Sequence, residues 1–429
     1  MTLPPNWQER PLPELVTFNP RHERGLSDDL DVSFVPMPII NGRSRHLSQH
    51  DSRKLGDVKR GYTHFRDGDV LFAKITPCME NGKAAIASNL TNGLGCGTTE
   101  LHVLRPSDSV LPEWLYYYVW QERFRKEAER NMTGSAGQLR VPLSFLEEQT
   151  IPVPDSIDEQ RQITNKLDHI AAHLGDTRTR LETIPSILKR FRMSVLAAAC
   201  SGRLTEDWRR QNGIDRAWDW VAATEVCEKV QSGSTPDKGK FCDAPGVPFL
   251  KVYNIVRQQV DFNYKPQFIT RDTHERGLKR STTLPGDVLM NIVGPPLGKV
   301  AIVPSDYPEW NINQALTLFR PGPNIDRMFL YYVLYSGAPI ADTLQETRGS
   351  AGQANISLSQ CRALLLPRPS LDEQHEVVRK IEELFNQAAA IEARYRKAKT
   401  FTDKLMPAVL AKAFRGELIE QGGEEMRNV

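Results

Sequence analysis

This chain is written twice. The pentapeptide Gly-Ser-Ala-Gly-Gln occupies residues 134–138 and returns at 349–353. Val195–Leu204 shares six of ten residues with Val409–Leu418, 214 positions later. Gly-Asp-Val-Leu opens at Gly68 and again at Gly286, and Asp-Glu-Gln ends at Gln160 and again at Gln374. Trp7, Glu14 and Leu15 answer Trp218, Glu225 and Val226. The echoes keep their order, so the 429 residues are a tandem duplication of one unit of about 210 residues. Solenoid repeats run about 20–50 residues; a period this long means two copies of a multi-part module.

Each copy has two textures. The first is mixed, with short β-prone runs such as Asp-Val-Ser-Phe-Val from Asp31, Asp-Val-Leu-Phe-Ala from Asp69, Val-Pro-Phe-Leu from Val247 and Val-Ala-Ile-Val from Val300. Turn residues separate these runs. A short amphipathic helix is expected over Pro112–Glu129, with a counterpart that begins near Asp326. That texture predicts a compact α+β domain.

The second texture is helical. From Ile163 the apolar positions step by 4 and 3 in alternation through Leu167, Ile170, Leu174, Leu181, Ile184, Leu188, Phe191 and Val195, with Thr177 as the polar member. The second copy repeats the pattern 214 residues on, through Val377, Ile381, Leu384, Ala388, Ile391, Tyr395, Ala398, Thr402, Leu405 and Val409. A period of 3.5 kept in phase in both copies predicts two helices packed on each other as a coiled coil about 50 Å long. The alternative is a local core within each domain. Asp158 and Asp372 are expected to cap the two helices. Pro185 and Pro407 are candidate kinks.

The totals exclude several classes. The balance of 40% hydrophobic and 25% charged residues is that of a soluble globular chain. No run of about 18 apolar residues predicts a membrane span. The opening residues lack a charged stretch followed by an apolar core, so no export signal is expected and the compartment predicted is the cytoplasm. The six cysteines form no Cys-x-x-Cys pair and the nine histidines show no ligand spacing, so no metal site is expected. No phosphate-binding loop, Gly-x-Ser-x-Gly elbow, His-Glu-x-x-His pair or dinucleotide fingerprint stands in the chain. Two domains on a fixed spacer, with no visible chemistry, suit a measuring device. Duplex DNA with two half-sites is its natural object.

With these motifs in view the chain resembles the specificity subunit of type I restriction–modification systems. The resemblance rests on Ile151–Gln160, Thr183–Arg209 and the run from Gly68 to Ala87, together with their second-half echoes. It implies two target recognition domains, at 1–155 and 205–369, joined by spacer helices at 156–204 and at 370–429, the latter with a C-terminal tail. The two helices are expected to run antiparallel in a pseudo-two-fold repeat. It further implies that this chain catalyses nothing and binds no cofactor. The expected partners are double-stranded DNA, two methyltransferase subunits that carry S-adenosylmethionine and methylate adenine N6, and motor–nuclease restriction subunits that use ATP and Mg2+. A non-cleaving defence complex or an orphan methyltransferase are the alternative settings. The seam residues that would join the helices are Ile163, Leu167, Ile170, Leu174, Leu181, Leu188, Val377, Ile381, Leu384, Ile391, Tyr395 and Leu405.

Candidate DNA contacts follow from donor and acceptor chemistry. Asn and Gln pair with adenine edges, and Arg and Lys with guanine or phosphate. In the first half they are Arg43, Arg45, Lys74, Thr76, Asn81, Lys83, Thr98, Thr99, Ser135 and Gln138. In the second they are Lys251, Asn254, Arg257, Asn291, Lys299, Asn313, Ser350 and Gln353. The basic run Lys189, Arg190 and Arg192 on the first helix is a further candidate for backbone contact.

Overall fold

The structure is a computed structural model. It describes residues 3–419 apart from 43, 48–50, 136, 295–296 and 342–354. The chain divides into two compact units, Met1–Glu182 with Tyr395–Val429, and Thr183–Arg394. Each unit therefore holds the beginning of one long helix and the end of the other.

In the first unit an antiparallel sheet runs in the order Val16–Phe18, Leu101–Pro106, Val70–Ala73, Ala84–Ile86. A second sheet runs Asp51–Lys54, Asp31–Val35, Leu94–Gly97, Thr63–Arg66, and its middle pair is parallel. Trp7–Pro11 and Thr150–Pro154 close the domain as an antiparallel clasp. All four residues of Val70–Ala73 are buried. Strand side chains alternate, so Val70 and Phe72 enter one apolar cluster while Leu71 and Ala73 enter another.

The second unit repeats this plan. Its central sheet runs Cys227–Ser232, Leu316–Pro321, Val288–Asn291, Val300–Ile302. Its second sheet again contains a parallel pair, Val247–Leu250 with Asn311–Ile312. The clasp is Asp219–Ala222 with Leu365–Arg368. The repeated Gly-Asp-Val has a structural role in both. Asp69 lies at a bend, accepts from the Arg66 backbone, and takes two 2.8 Å bonds from Arg105. Asp287 does the same with Leu284 and Arg320.

The long helices span Ile157–Cys200 and Leu371–Ala413, and both run on through their prolines. The aspartates do not cap them. Ser156 Oγ accepts from the Glu159 backbone at 3.4 Å and Ser370 Oγ from Glu373 at 3.3 Å. A serine three residues before a glutamate has the reach for the N3 amide. Asp158 and Asp372 lie one position inside, where their charge favours the N-terminal end. The repeated Gln is a clamp. Gln160 is fully buried; it accepts from the Leu111 backbone at 2.9 Å and donates to the Ser109 and Pro154 carbonyls. Gln374, also fully buried, accepts from the Asp326 backbone at 2.7 Å and donates to Asn324 and Pro369. Each clamp ties a long helix to the start of a domain helix.

Within each unit the helix segments are antiparallel. In the first, Lys166 Nζ donates to the Leu418 carbonyl at 2.9 Å and Arg178 to that of Thr402 at 3.4 Å. In the second, Lys380 Nζ donates to the Leu204 carbonyl at 3.1 Å and Arg192 bonds Glu392 at 2.8 Å. The two lysine clasps are the same contact moved by 214 residues.

The seam is not the continuous buried stripe that the periodicity predicts. Ile163, Leu167, Leu174, Val377 and Ile381 are buried, but among domain side chains as much as against the facing helix. Leu188 is buried, and Ile170, Leu181, Leu384, Tyr395 and Leu405 are half-buried. Ile391 is 49% exposed and Phe191 38%, while Thr177 and Ala398 also face out. Two helices cover only one narrow stripe of each other, so full burial is reached where a sheet domain adds its side chains. The helix expected over 112–129 is two helices, Pro112–Trp120 and Glu122–Arg130, broken by the extended backbone of Gln121.

Candidate nucleic-acid interface

Gly134, Ser135, Gly137 and Gln138 of the first Gly-Ser-Ala-Gly-Gln lie at the tip of a hairpin; Ala136 lies outside the described residues. Thr133 and Arg140 exchange backbone bonds at 2.9 Å, and the Gln138 amide donates to the Ser135 carbonyl at 2.9 Å. Gly134 has a φ of +128°, and a Cβ there would lie 2.8 Å from the Gln138 carbonyl. The turn itself requires a glycine there. Ser135 and Gln138 are exposed at the tip. The second copy, with Ser350 and Gln353, lies outside the described residues, as does Arg43. Asn355, just after it, bridges Val293 as Arg140 bridges Ile75.

The hairpin stands beside the end of the central strand. Thr76 donates its amide to the Leu139 carbonyl, Val141 to Lys74, and Lys74 to Glu100. Arg140 holds Glu100 with two 2.8 Å bonds. Lys74 sits between them, and burial pushes its amine below the usual range while Glu100 opposes that shift. Thr98 accepts from the Glu100 backbone at 3.2 Å, and Thr99 is exposed beside it. Lys74, Thr98, Thr99, Ser135 and Gln138 are thus gathered around one strand end, with Thr76 bonded to Glu80 close by. Arg140 belongs to this group and was not singled out from the sequence. Its signal was available: it stands two residues past the shared pentapeptide, where the second copy has Asn355.

Other first-half candidates are taken up by the fold. Lys83 Nζ donates to the Met37 carbonyl at 3.0 Å. Arg45 reaches Asp168 of the first long helix at 2.9 Å and Glu113 at 3.7 Å. Asn81 is exposed, away from the hairpin, on a cleft described below.

In the second half two asparagines are structural. Asn254 is 1% exposed; it donates to the Asp261 and Tyr264 carbonyls and accepts from the Lys251 backbone. Asn291 is fully buried and accepts from the Lys299 backbone at 2.6 Å. Neither presents an edge to a ligand, because a buried amide is occupied by the backbone it orders. Lys299 donates to the Ile255 carbonyl at 3.3 Å. Arg192, from the helix cluster, is paired with Glu392, while Lys189 and Arg190 are exposed.

Three candidates remain available. Arg257 is exposed at the tip of a two-residue hairpin turn, with φ of +51° there and +64° at Gln258. Such turns favour Asn-Gly, so Arg-Gln gave no sequence signal for one. Lys251 Nζ lies 5.3 Å from the centre of the Phe241 ring. Asn313 has a buried side-chain oxygen that accepts no bond from the described residues.

Two like units, each a pair of small sheets packed on antiparallel segments of the two long helices, with polar and basic side chains at exposed turns, define a tandem-duplicated α+β protein. A family profile described as "Type I restriction modification DNA specificity domain" matches residues 4–185 and again 216–399, and the chain belongs to that family. It is 38% identical over 228 residues to the Type I restriction enzyme EcoEI specificity subunit of Escherichia coli, and 45% identical over 230 residues to the EcoAI specificity subunit. Each match takes in 52% of this chain and only 38% of the relative's length. The EcoKI specificity subunit of E. coli K12 is 28% identical over 414 residues, 93% of this chain and 81% of that subunit. The fold is that of the HsdS subunit from Thermoanaerobacter tengcongensis, with a TM-score of 0.67, 20% identity, and 97% and 99% of the two chains covered. It is also that of a chain solved in work on assembly and conformational transition of the type I R-M system, with a TM-score of 0.75, 19% identity, and 97% and 100% covered. Among the described residues no helix is long and apolar enough to cross a membrane, and no cluster of potential metal ligands is present.

Proposed function

We propose that this chain is the specificity subunit of a type I restriction–modification complex and reads a bipartite DNA target without doing chemistry itself. The observation that carries the reading is the duplicated unit, one copy per half-site, in a chain of the DNA specificity domain family. Residues 1–155 and 205–369 would then be the two recognition domains, and 156–204 and 370–429 the spacer with its tail. In the first domain the readers are Lys74, Thr98, Thr99, Ser135, Gln138 and Arg140. In the second they are Lys251, Arg257 and Asn313. Arg and Lys suit phosphate or guanine, Gln and Asn an adenine edge. Two methyltransferase subunits dock on the helix frame and hold S-adenosylmethionine for adenine N6 methylation. The restriction subunits bring ATP and Mg2+. The exposed Ile187, Phe191 and Ile391 give the frame apolar surface of the kind a partner covers.

The test is modified-base sequencing of host DNA with the gene intact and deleted. Loss of adenine methylation at one two-part motif is the expected result. Deletion that leaves every motif methylated contradicts the reading.

A further inference from the structure

The two units break their symmetry at one place on the helix frame. In the second unit Arg192 and Glu392, on facing helices, form a 2.8 Å ion pair. The positions 214 residues away from them in the first unit are Met406 and Arg178. An arginine stands where the glutamate should be, and a methionine stands where the arginine should be. The pair is therefore dismantled in the first unit, and the arginine that remains there, Arg178, reaches only one carboxylate among the described residues, that of Asp403, at 3.8 Å.

A cleft opens at that point. It has a volume of ≈ 480 Å3, with Trp120, Arg125, Arg178, Tyr395 and Met406 among its walls. Arg178, Trp120 and Met406 also line a second hollow of ≈ 220 Å3. Arg178 thus stands between two spaces. Its contacts are a 3.4 Å bond to the Thr402 carbonyl and Asp403 at 3.8 Å, and its Nε is buried without a partner. Arg125 shares the cleft. It donates to the Glu80 carbonyl at 2.9 Å, and its Nε is likewise buried without a partner. Burial pushes its guanidinium below the usual range. Among the described residues neither guanidinium has a carboxylate within hydrogen-bonding distance. Half-buried guanidiniums with no carboxylate in hydrogen-bonding distance are incompletely satisfied, and an oxyanion that bonds them would complete them. Glu122, Glu182, Asp403 and Lys399 also line the cleft, so its walls are of mixed charge and the two arginines are the points where an anion would be met.

From this geometry we propose that the first unit carries a binding site for a small oxyanion-bearing molecule, held between Arg125 and Arg178 against the Trp120 and Tyr395 rings. The volume suits a ligand of nucleotide size. Planar guanidiniums pair with phosphate or carboxylate oxygens through parallel N–H bonds, and the rings accept a flat or apolar body. The site is separate from the hairpin cluster proposed to read DNA, so its test does not depend on that reading.

The experiment is isothermal titration calorimetry on the full chain at fixed ionic strength, with pyrophosphate, citrate and ATP as probes. Saturable one-site binding of at least one probe is expected. Pyrophosphate over citrate assigns a phosphate ligand and the reverse a carboxylate ligand; tighter ATP than pyrophosphate shows that the ring walls take part. Arg178→Gln should weaken binding at least tenfold. The variant Arg178→Glu, which keeps buried Met406 in the core, should fold with the parent's circular dichroism and lose binding. Failure of all three probes to bind at millimolar concentration overturns the proposal. So does a correctly folded Arg178→Glu variant that binds as the parent does.

Discussion

At the residue scale, side chains of the same type divide sharply by what surrounds them. Asn254 and Gln138 were equal candidates by chemistry, yet one is locked among backbone groups and the other stands at a turn tip. Asn254→Ala is expected to destabilise the second unit by about 1–3 kcal/mol, since it strands buried carbonyls, and urea denaturation reads that loss. Gln138→Ala should leave the urea midpoint unchanged. It should weaken DNA binding by the assembled complex by about 1–3 kcal/mol, the worth of one specific contact; filter binding on targets altered in one half-site would show whether the loss falls on that half-site alone. A second residue sets an acid limit. His102 is buried, donates Nε2–H to the Val141 carbonyl at 2.9 Å, and faces the Asn19 amide with Nδ1. Burial lowers its pKa below the ordinary 6.5, and His22 in the same unit shifts the same way. Below about pH 6.5 the unfolded chain takes up protons that the folded one refuses, so stability falls as pH falls through that window. Urea midpoints at pH 7.5 and 5.5 should differ, and His102→Gln should narrow the difference. Glu100, whose pKa is lowered by Arg140, adds its own loss only at lower pH.

At the element scale the helices obey local rules that were partly legible. The 4-3 stepping located both of them, and the serine before each Asp-Glu-Gln was in plain sight, although the aspartate drew the cap assignment. Ser156→Ala and Ser370→Ala should each cost about 1 kcal/mol, and Asp158→Ala and Asp372→Ala less, by urea denaturation. What periodicity could not show is how much of the seam is covered. Ile163 and Ile391 hold the same place in a heptad count, yet the first is buried and the second exposed. They differ because a sheet domain packs on one stretch of helix and not on the next. For the same reason the candidate site was legible only in part. The Gly-Ser-Ala-Gly-Gln turn, the strand from Gly68 and the Thr98–Thr99 pair could be named separately. Their meeting at one strand end depends on backbone bonds that join residue 74 to 100 and 141 and residue 76 to 139, which leave no mark in composition. Asn291 misled because a polar residue in a β-prone run resembles a reader until its 2.6 Å backbone bond is seen.

At the scale of the whole molecule the duplication was legible in full and its closure was not. In the first unit the first and last described stretches come together: Phe414 packs on Trp114 with ring centres 4.6 Å apart, and a Cβ on Gly416 would meet Pro4. The same neighbourhood in the second unit is one continuous stretch, Val195 to Trp218. A circular permutant that joins residue 419 to residue 3 through a short flexible linker and opens between Asn212 and Ala217 should therefore fold, with circular dichroism and a melting temperature close to the parent's. A permutant opened inside Ile157–Cys200 should not, because it cuts the frame. The reciprocal clasp of Lys166 on Leu418 and Lys380 on Leu204 also bears on inheritance. Each half offers its neighbour the same amine and the same carbonyl. A half from another lineage that keeps those two groups would meet a familiar counterpart. Under the proposed function, a single crossover in the helix-coding stretch would then give a lineage a new address, where point changes at the tips would have to rebuild it letter by letter.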